Sequence, residues 1–381
     1  MAFEIVTLRV AGLGDLRPVT IAVARAVDEA ASSFEAKVKQ PGMSQSELLQ
    51  ALRGSPKVEI YSAFSDNKQA GAVKNGQVKL GELVLTGHVE KRSPALRSAE
   101  AELPIAGRSK TGDLVDSSAE AKKGEWKDKK ADEVFKDLAE GYDIEIEVDF
   151  EHKPRTVFRV RPGETIHQAA DRWARAEGFT ITDTPEGKVK TTSAKNAKRH
   201  AGAIREGITT WPKLLDASAV HDDSKKFGQV KIKAQAPDGY GADALEIEAE
   251  AKDETVKRKR LRIVTPPELI RKDDSRERAK WHRDRAAGEG TTCEVTVLGW
   301  RDEKQALWTQ GWLVMVEIPS LDLVQEMLIK KVSLEQSDAD AGEGTVAKLS
   351  LVDPRSFGGK KGKGAKSGAS WDTGKAGGDD A

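Results

Sequence analysis

Apolar residues recur at every second position over many short stretches of this chain, the pattern of half-buried β-strands. Ile5, Leu8 and Val10 sit among polar neighbours at residues 4 to 10, and the turn residues Gly12, Gly14 and Asp15 follow. Residues 18 to 40 read two ways. Val19, Ile21 and Val23 alternate as in a strand, while the Ala and Glu content from Val23 to Ala36 favours helix, and composition alone tips the reading to helix. From Val58 to Arg92 the β pattern strengthens: Val58, Ile60 and Tyr61, then Val78 and Leu80, then Leu83, Leu85 and Val89, with Gly and Asn turns between. Short strands at this spacing predict a barrel or sandwich.

The middle of the chain differs in kind. Lys130 to Tyr142 carries Val134, Phe135 and Leu138 at helical spacing, and Ile144, Ile146, Val148 and Phe150 then alternate as a strand. Val157 to Ile166 leads into a helix over about 167–177, with Thr165 as N-cap and Ile166, Ala169, Ala170 and Trp173 on one face. Phe179 to Ile181 and Val189 to Thr191 complete a small α/β module. Residues 204 to 265 return to β-like runs, among them Gln229 to Ala234 and Leu261 to Val264, and a charged helix is expected over 275–287. The last segment is β again: Thr292 to Arg301, Trp312 to Val316, Glu326 to Ile329, Val332 to Leu334, and Val346 to Leu351. Beyond Gly358 the chain is Gly, Lys, Ala and Ser, a composition that reads as disordered. Glu102 to Gly107 precedes Leu114 much as Glu294 to Gly299 precedes Leu307; this echo implies two related β domains around the module, with Gly107 and Gly299 in equivalent turns.

A length of 381 residues fits two or three domains. Lys+Arg and Asp+Glu both total 62, so no net basic field draws nucleic acid from a distance, and DNA contact would have to be local. No run approaches the roughly 18 apolar residues of a membrane helix, so no membrane insertion is expected, and the N-terminus lacks the look of a secretory signal. Cys293 is the only cysteine, which excludes internal disulfides and Cys-based zinc sites and fits a reducing compartment.

Few residue patterns in the chain point to reaction chemistry. Gly374, Lys375 and Ala376 lack the hydroxyl of a phosphate loop, and the six histidines (88, 152, 167, 200, 221, 282) show no metal-binding pair. Cys293 with His282 would make a thiol dyad, but Cys293 shares one strand face with Val295 and Val297, as a buried structural cysteine does. Asp338 to Glu343 reads as a hairpin turn rather than a calcium loop, and the basic runs Lys257 to Arg260 and Lys360 to Lys366 read as solvated charge. Trp300, Trp308 and Trp312 are expected to fill a core or anchor an interface. No cofactor, metal or catalytic residue is nominated.

Gly107, Arg108, Ser109, Lys110, Thr111, Gly112, Asp113, Leu114, Val115 and Asp116 run consecutively, with Trp126 soon after; together they resemble a signature of the baseplate hub proteins of Mu-like contractile-tailed phages. Further segments follow in the same order: Val84 to Val89, Val160 to Ala174 around Gly163, Val297 to Arg301 with Gly299, Trp300 and Arg301, Leu307 with Trp308, Val316 to Leu321, Leu328 with Ile329, and Leu349 to Pro354 followed by Phe357. The likeness spans about residues 4 to 357. It implies a mainly β fold with an α+β insert: a first β-barrel domain over 1–120, a central α/β module over 121–200, a second, related barrel over 201–357 and a disordered tail over 358–381. It also replaces the helix over 18–40 by strands at 18–26 and 33–39. The function implied is structural and non-enzymatic. A homotrimer would form a pseudo-six-fold ring, similar to the hubs of T-even phages and type VI secretion spikes. That ring would join the tail tube protein to the baseplate spike protein, beside other baseplate proteins, with DNA only as passing cargo. The place implied is the virion tail after synthesis in the host cytoplasm. Trimerisation is expected through barrel edge strands. Arg161 to Thr165 and the Ala-rich helix after it also resemble a LysM-type turn, which keeps a peptidoglycan-binding tail protein or the anchor of a lytic enzyme as the alternative; a DNA-binding tail component is a third reading.

Overall fold

A computed structural model describes residues 3–39, 41–65, 73–74, 77–78, 81–95, 102–120, 124–207, 211–235, 247–266, 272–337 and 344–359. The expected disordered tail past Gly359, the Asp338 to Glu343 turn, Leu80 and the Lys360 to Lys366 run lie outside these residues. The first part of the chain forms β1 (Phe3–Val10), β2 (Gly14–Leu16), β3 (Pro18–Ala26), β4 (Ser33–Val38), α1 (Gln45–Ala51), β5 (Lys57–Ser65), a short hairpin of β6 (Val73–Lys74) and β7 (Gln77–Val78), β8 (Glu82–Arg92), β9 (Leu103–Ser109) and α2 (Gly112–Asp116). The module contributes β10 (Glu125–Lys129), α3 (Ala131–Leu138), β11 (Ile146–Val148), β12 (Arg155–Arg159), α4 (Ile166–Glu177), β13 (Thr180–Asp183) and β14 (Val189–Thr192). Then come β15 (Arg199–Arg205), β16 (Leu214–His221), β17 (Gln229–Ala234), β18 (Ile247–Lys252), β19 (Leu261–Val264), α5 (Lys272–Gly288), β20 (Thr291–Leu298), β21 (Leu313–Ile318), β22 (Leu323–Ser337) and β23 (Thr345–Val352).

The fold is mainly β. Thirteen strands from before and after the module are hydrogen-bonded into one sheet, joined where β3 pairs with β22 and ending at β2 on one side and at β16 and, through β21, β15 on the other. Each side of that joint has the same plan. Six strands taken in chain order (β1, β3, β4, β5, β8, β9, and β15, β16, β20, β21, β22, β23) lie in the sheet as first, fourth, fifth, sixth, third, second in both cases. Two irregularities repeat as well. Pairing skips a residue between Pro18 and Thr20 in β3 and between Leu214 and Asp216 in β16, and again between Val89 and Lys91 in β8 and between Ile329 and Lys331 in β22. Three steps depart: β1 runs antiparallel to β5 while β15 runs parallel to β21, the skip of Val84 in β8 opposite Ile60 and Tyr61 has no counterpart between β21 and β22, and the shift between Arg199 and Ala203 in β15 has none in β1. Bulges re-aim a strand and are built features rather than accidents, so their recurrence marks a true internal repeat.

That repeat does not run through the echo in the sequence. Gly107 lies inside β9, the sixth strand of the first half, whereas Gly299 follows β20, the third strand of the second, with φ +82°. They are not equivalent turns. Residues 18–26 and 33–38 are strands, because Ile21, Val23, Phe34, Ala36 and Val38 alternate into the core and sheet pairing overrides the helical leaning of Ala and Glu. The strand expected over 144–150 is confined to Ile146–Val148. One core runs through both halves, with Leu8, Phe34, Ile60 and Leu103 in the same cluster as Trp300, Trp308, Val316 and Leu349. The module has its own core around Phe135, Trp173 and Phe179, where the Phe135 and Trp173 rings meet edge to face at 6.1 Å. Thr165 caps α4 as expected, its Oγ1 accepting from the Gln168 amide at 3.2 Å. The β17–β18–β19 sheet lays Ile232, Ala249 and Ala251 on Ala279 of α5. Among the described residues no helix is long and apolar enough to cross a membrane.

Candidate functional site

The signature segment starts as the central part of β9, between β4 and β8. A Cβ on Gly107 would run into the His88 carbonyl oxygen and come within 2.7 Å of the Phe34 ring, so only glycine lets the three strands close here. Arg108 points outward and holds two carboxylates in forked pairs: Glu90 through Nε at 2.9 Å and Nη2 at 3.0 Å, Asp116 through Nη1 at 3.1 Å and Nη2 at 2.5 Å. The hydrogen bonds that the guanidinium donates to Asp116 and Glu90 push it further up, and Arg108 in turn holds the Asp116 carboxyl below its usual range.

Ser109 and Thr111 face inward to a buried polar joint. Their hydroxyls lie 2.8 Å apart, Thr111 Oγ1 donates to the Ala30 carbonyl at 2.6 Å, and Ser109 Oγ accepts from the Ser32 amide at 3.1 Å. Asp183, at the end of β13, accepts from the Ser32 amide at 2.8 Å and its hydroxyl at 2.7 Å, and Thr182 Oγ1 donates to the Ala26 carbonyl at 2.9 Å. All these side chains are buried. The joint therefore welds the β3–β4 connection to the module, and each polar group is satisfied, which is the condition for a buried network to stabilise. Lys110 extends the contact with an ion pair to Asp143 at 2.7 Å. Gly112 lies against the Arg108 side chain, Asp113 is exposed in the first turn of α2, and Leu114 enters the module core. Gly163, with φ +77°, turns the chain so that Glu164 accepts the Ala119 amide at 2.9 Å and pairs with Arg172 at 2.8 Å.

The second group of signature residues sits at the other end of the chain. Gly299 approaches the Trp211 indole so closely that a Cβ would lie 2.5 Å from Cζ2. Trp300 and Trp308 are fully buried, Trp300 Nε1 donating to the Glu335 carbonyl at 3.0 Å, while Trp312 is half-buried. Arg301 crosses to the first half of the chain. Its Nε meets Glu4 at 2.5 Å, its Nη1 meets Glu82 at 3.0 Å, and its Nη2 donates to the Ser62 carbonyl at 3.2 Å, while Ser62 Oγ donates to Glu4 at 2.6 Å. Beside it, His200 and Asp302 pair at 2.9 Å in the interior. The Thr309 amide donates to His200 Nε2 at 3.2 Å, so Nδ1 carries the proton that Asp302 accepts. Burial pushes the Asp302 carboxyl up, but hydrogen bonds from His200 and the Ala201 and Ala306 amides outweigh it and hold the group below its usual range. Glu4, Ser32, Asp183 and the His200–Asp302 pair went unnoticed in the sequence, where each is an ordinary polar residue with its partner far along the chain.

These contacts are architectural. Cys293 is buried in the main core with its thiol pushed up to about 12, the reverse of an activated nucleophile, and His282 is pushed down to about 4 by burial and by Arg262, Arg278 and Arg285. Among the described residues no His, Cys, Asp and Glu cluster could hold a metal ion. A groove of about 450 Å³ runs across the joint of the two halves, lined by Glu35, Lys37, Lys91, Glu335 and Lys348, charges of both signs.

Two family models match: the baseplate hub protein gp44-like second domain over residues 111–193 and the fourth domain of the Mu phage baseplate assembly protein GpP over residues 271–360. The chain is 25% identical over 290 residues to the baseplate hub protein gp44 of Escherichia phage Mu, covering 73% of this chain and 74% of that protein. This chain is similar to the baseplate hub proteins of Mu-like phages. Among solved structures, the fold matches the 43 kDa tail protein of prophage MuSo2 from Shewanella oneidensis at a TM-score of 0.73 and 21% identity, over 93% of this chain and 99% of that one. It also matches an E. coli component of the type VI secretion system, itself described as similar in structure to T4 tail proteins gp27 and gp5, at a TM-score of 0.54 and 10% identity, over 90% of this chain and 76% of that one. The hub second-domain match contains Arg161 to Thr165, the residues that resemble a LysM turn.

Proposed function

We propose that this chain is the structural hub of a contractile phage-tail baseplate. Three copies form a ring around a DNA channel, with the tail tube protein on one side and the puncturing spike on the other. The observation that carries the proposal is the likeness to the Mu hub across nearly three quarters of the chain. The internal repeat supports it on physical grounds. A tube with six-fold symmetry and a spike with three-fold symmetry need an adaptor that presents six similar units about a three-fold axis, and three chains with two such halves each provide it. In this reading each half is a hub barrel, residues 121–200 are a module docked on the first, and the role is architectural rather than enzymatic. The balanced charge of the chain suits a channel that lets DNA pass without holding it.

Antibody-gold labelling of intact phage tests this. Gold confined to the distal end of the tail is the expected result; label on the capsid, along the whole sheath, or only on debris would overturn the hub role.

A further inference from the structure

Inside the chain the two halves meet by one strand junction. β22 pairs with β21 only from Leu323 to Leu328, and its continuation, Lys331 to Ser337, accepts β3 antiparallel along the edge that β21 leaves free. The repeat says which strands correspond to these. Lys57 faces His88 in the first half as Leu313 faces Leu328 in the second, and Glu90 occupies the skipped position that Lys330 occupies in β22. β8 is thus the counterpart of β22. In the same way Ala24 faces Ser33 as Val220 faces Thr292, so β16 is the counterpart of β3.

Among the described residues both counterparts have the free edge that this junction needs. β8 pairs with β5 only as far as His88, after which Lys91 and Arg92 pair with β9 alone, and the Ser93 amide also turns to the β9 side, donating to Pro104. β16 is an end strand of the sheet, pairs among the described residues with β20 alone, and exposes Val220 (59%) and Leu215 (45%). An eight-residue edge strand with exposed apolar side chains and no bulge or proline along its outer half invites another strand.

We propose that β16 of one copy of this chain pairs antiparallel with the Lys91–Ser93 edge of β8 in the next copy, repeating between chains the β3–β22 junction within each. The register carries over: Val332 opposite Arg25 and Ser333 opposite Ala24 become Arg92 opposite His221 and Ser93 opposite Val220. Such an interface is head-to-tail, so it generates a ring if the rotation closes. The register rests on the internal repeat; closure at three copies rests on the hub reading.

The test is disulfide trapping in the full chain. Directly opposed cross-strand residues hold their Cβ atoms about 5 Å apart, within reach of a disulfide after slight adjustment. Cys293 is buried and leaves the background clean. The double variant Ser93→Cys with Val220→Cys, mildly oxidised, is expected to give a reducible covalent ladder ending at three chains, as is the neighbouring rung, Arg92→Cys with His221→Cys. The offset pair Ser93→Cys with Leu215→Cys should give none. Light scattering on the same samples separates the two ideas. Oligomers of native size without cross-links at either rung would overturn this junction and leave the hub role standing; a single-chain mass without cross-links would overturn both.

Discussion

Arg301 shows how much of this architecture rests on single side chains. It lies in a local Gly-Trp-Arg turn, yet its charge is met by Glu4, some three hundred residues away, in a place that water does not reach. Removing one partner of a buried pair strands the other, which costs about 3–5 kcal/mol. Arg301→Leu should therefore destabilise the protein by that amount in denaturant unfolding, and the double variant with Glu4→Leu should recover part of it. Asp302 acts on pH. Its folded-state pKa is depressed, so its contribution is present above the ordinary carboxylate range and is lost as pH falls through the folded value. His282 adds to the loss in a higher window. With its pKa lowered from 6.5 to about 4, the unfolded chain takes up the proton first, and stability declines as pH falls between those values. Denaturant midpoints measured from pH 7 to 4 should fall, and His282→Gln should flatten that decline. Cys293 should resist iodoacetamide in the native protein and react on unfolding; rapid native labelling would contradict its burial. The core face of Cys293, Val295 and Val297 and the buried tryptophans were readable from periodicity, because a strand's faces alternate whatever its partners are. The partners of Arg301 were not, since nothing local in a sequence records which distant carboxylate a guanidinium will meet.

At the scale of elements, the signature segment owes its character to the joint it builds between sheet and module. Thr111, Ser109, Ser32 and Asp183 exchange five short hydrogen bonds with one another and with the Ala30 carbonyl, all in the interior. Asp183→Ala leaves two donors of Ser32 with fewer partners and should cost about 2–4 kcal/mol, since a hydrogen bond to a charged group contributes about 1.5–3 kcal/mol. Hydrogen exchange is the sharper readout: amides of β13, α2 and the β3–β4 connection should lose protection together, while those of β20 to β23 keep theirs. The helices of the module were legible because Thr165 and the stripe of Ile166, Ala169, Ala170 and Trp173 are local signals. α1 carries an equally local signal, since Ser44 and Glu47 form a complete capping box. The 18–40 region failed for the opposite reason, in that its local propensity opposes the pairing that β22, β4 and β9 impose on it.

At the scale of the molecule, the family was legible in ordered motifs, and the β-rich class in the spacing of strands. The repeat was seen in the wrong place. Two glycines in similar sequence surroundings pointed to a duplication, but they sit on strands that do not correspond; what repeats is the order of six strands and the position of two bulges, which only the pairing reveals. The same pairing merges both halves into one sheet with one core, so the chain supplies its own first junction and leaves the strands of the next one exposed. Together with the hub reading, this leads to the central proposal, a ring of three. Light scattering behind a sizing column at micromolar concentration tests it most directly: three chains of 41.4 kDa should elute as one species of about 124 kDa. A lone species of 41.4 kDa, unchanged as the protein is concentrated, would contradict it.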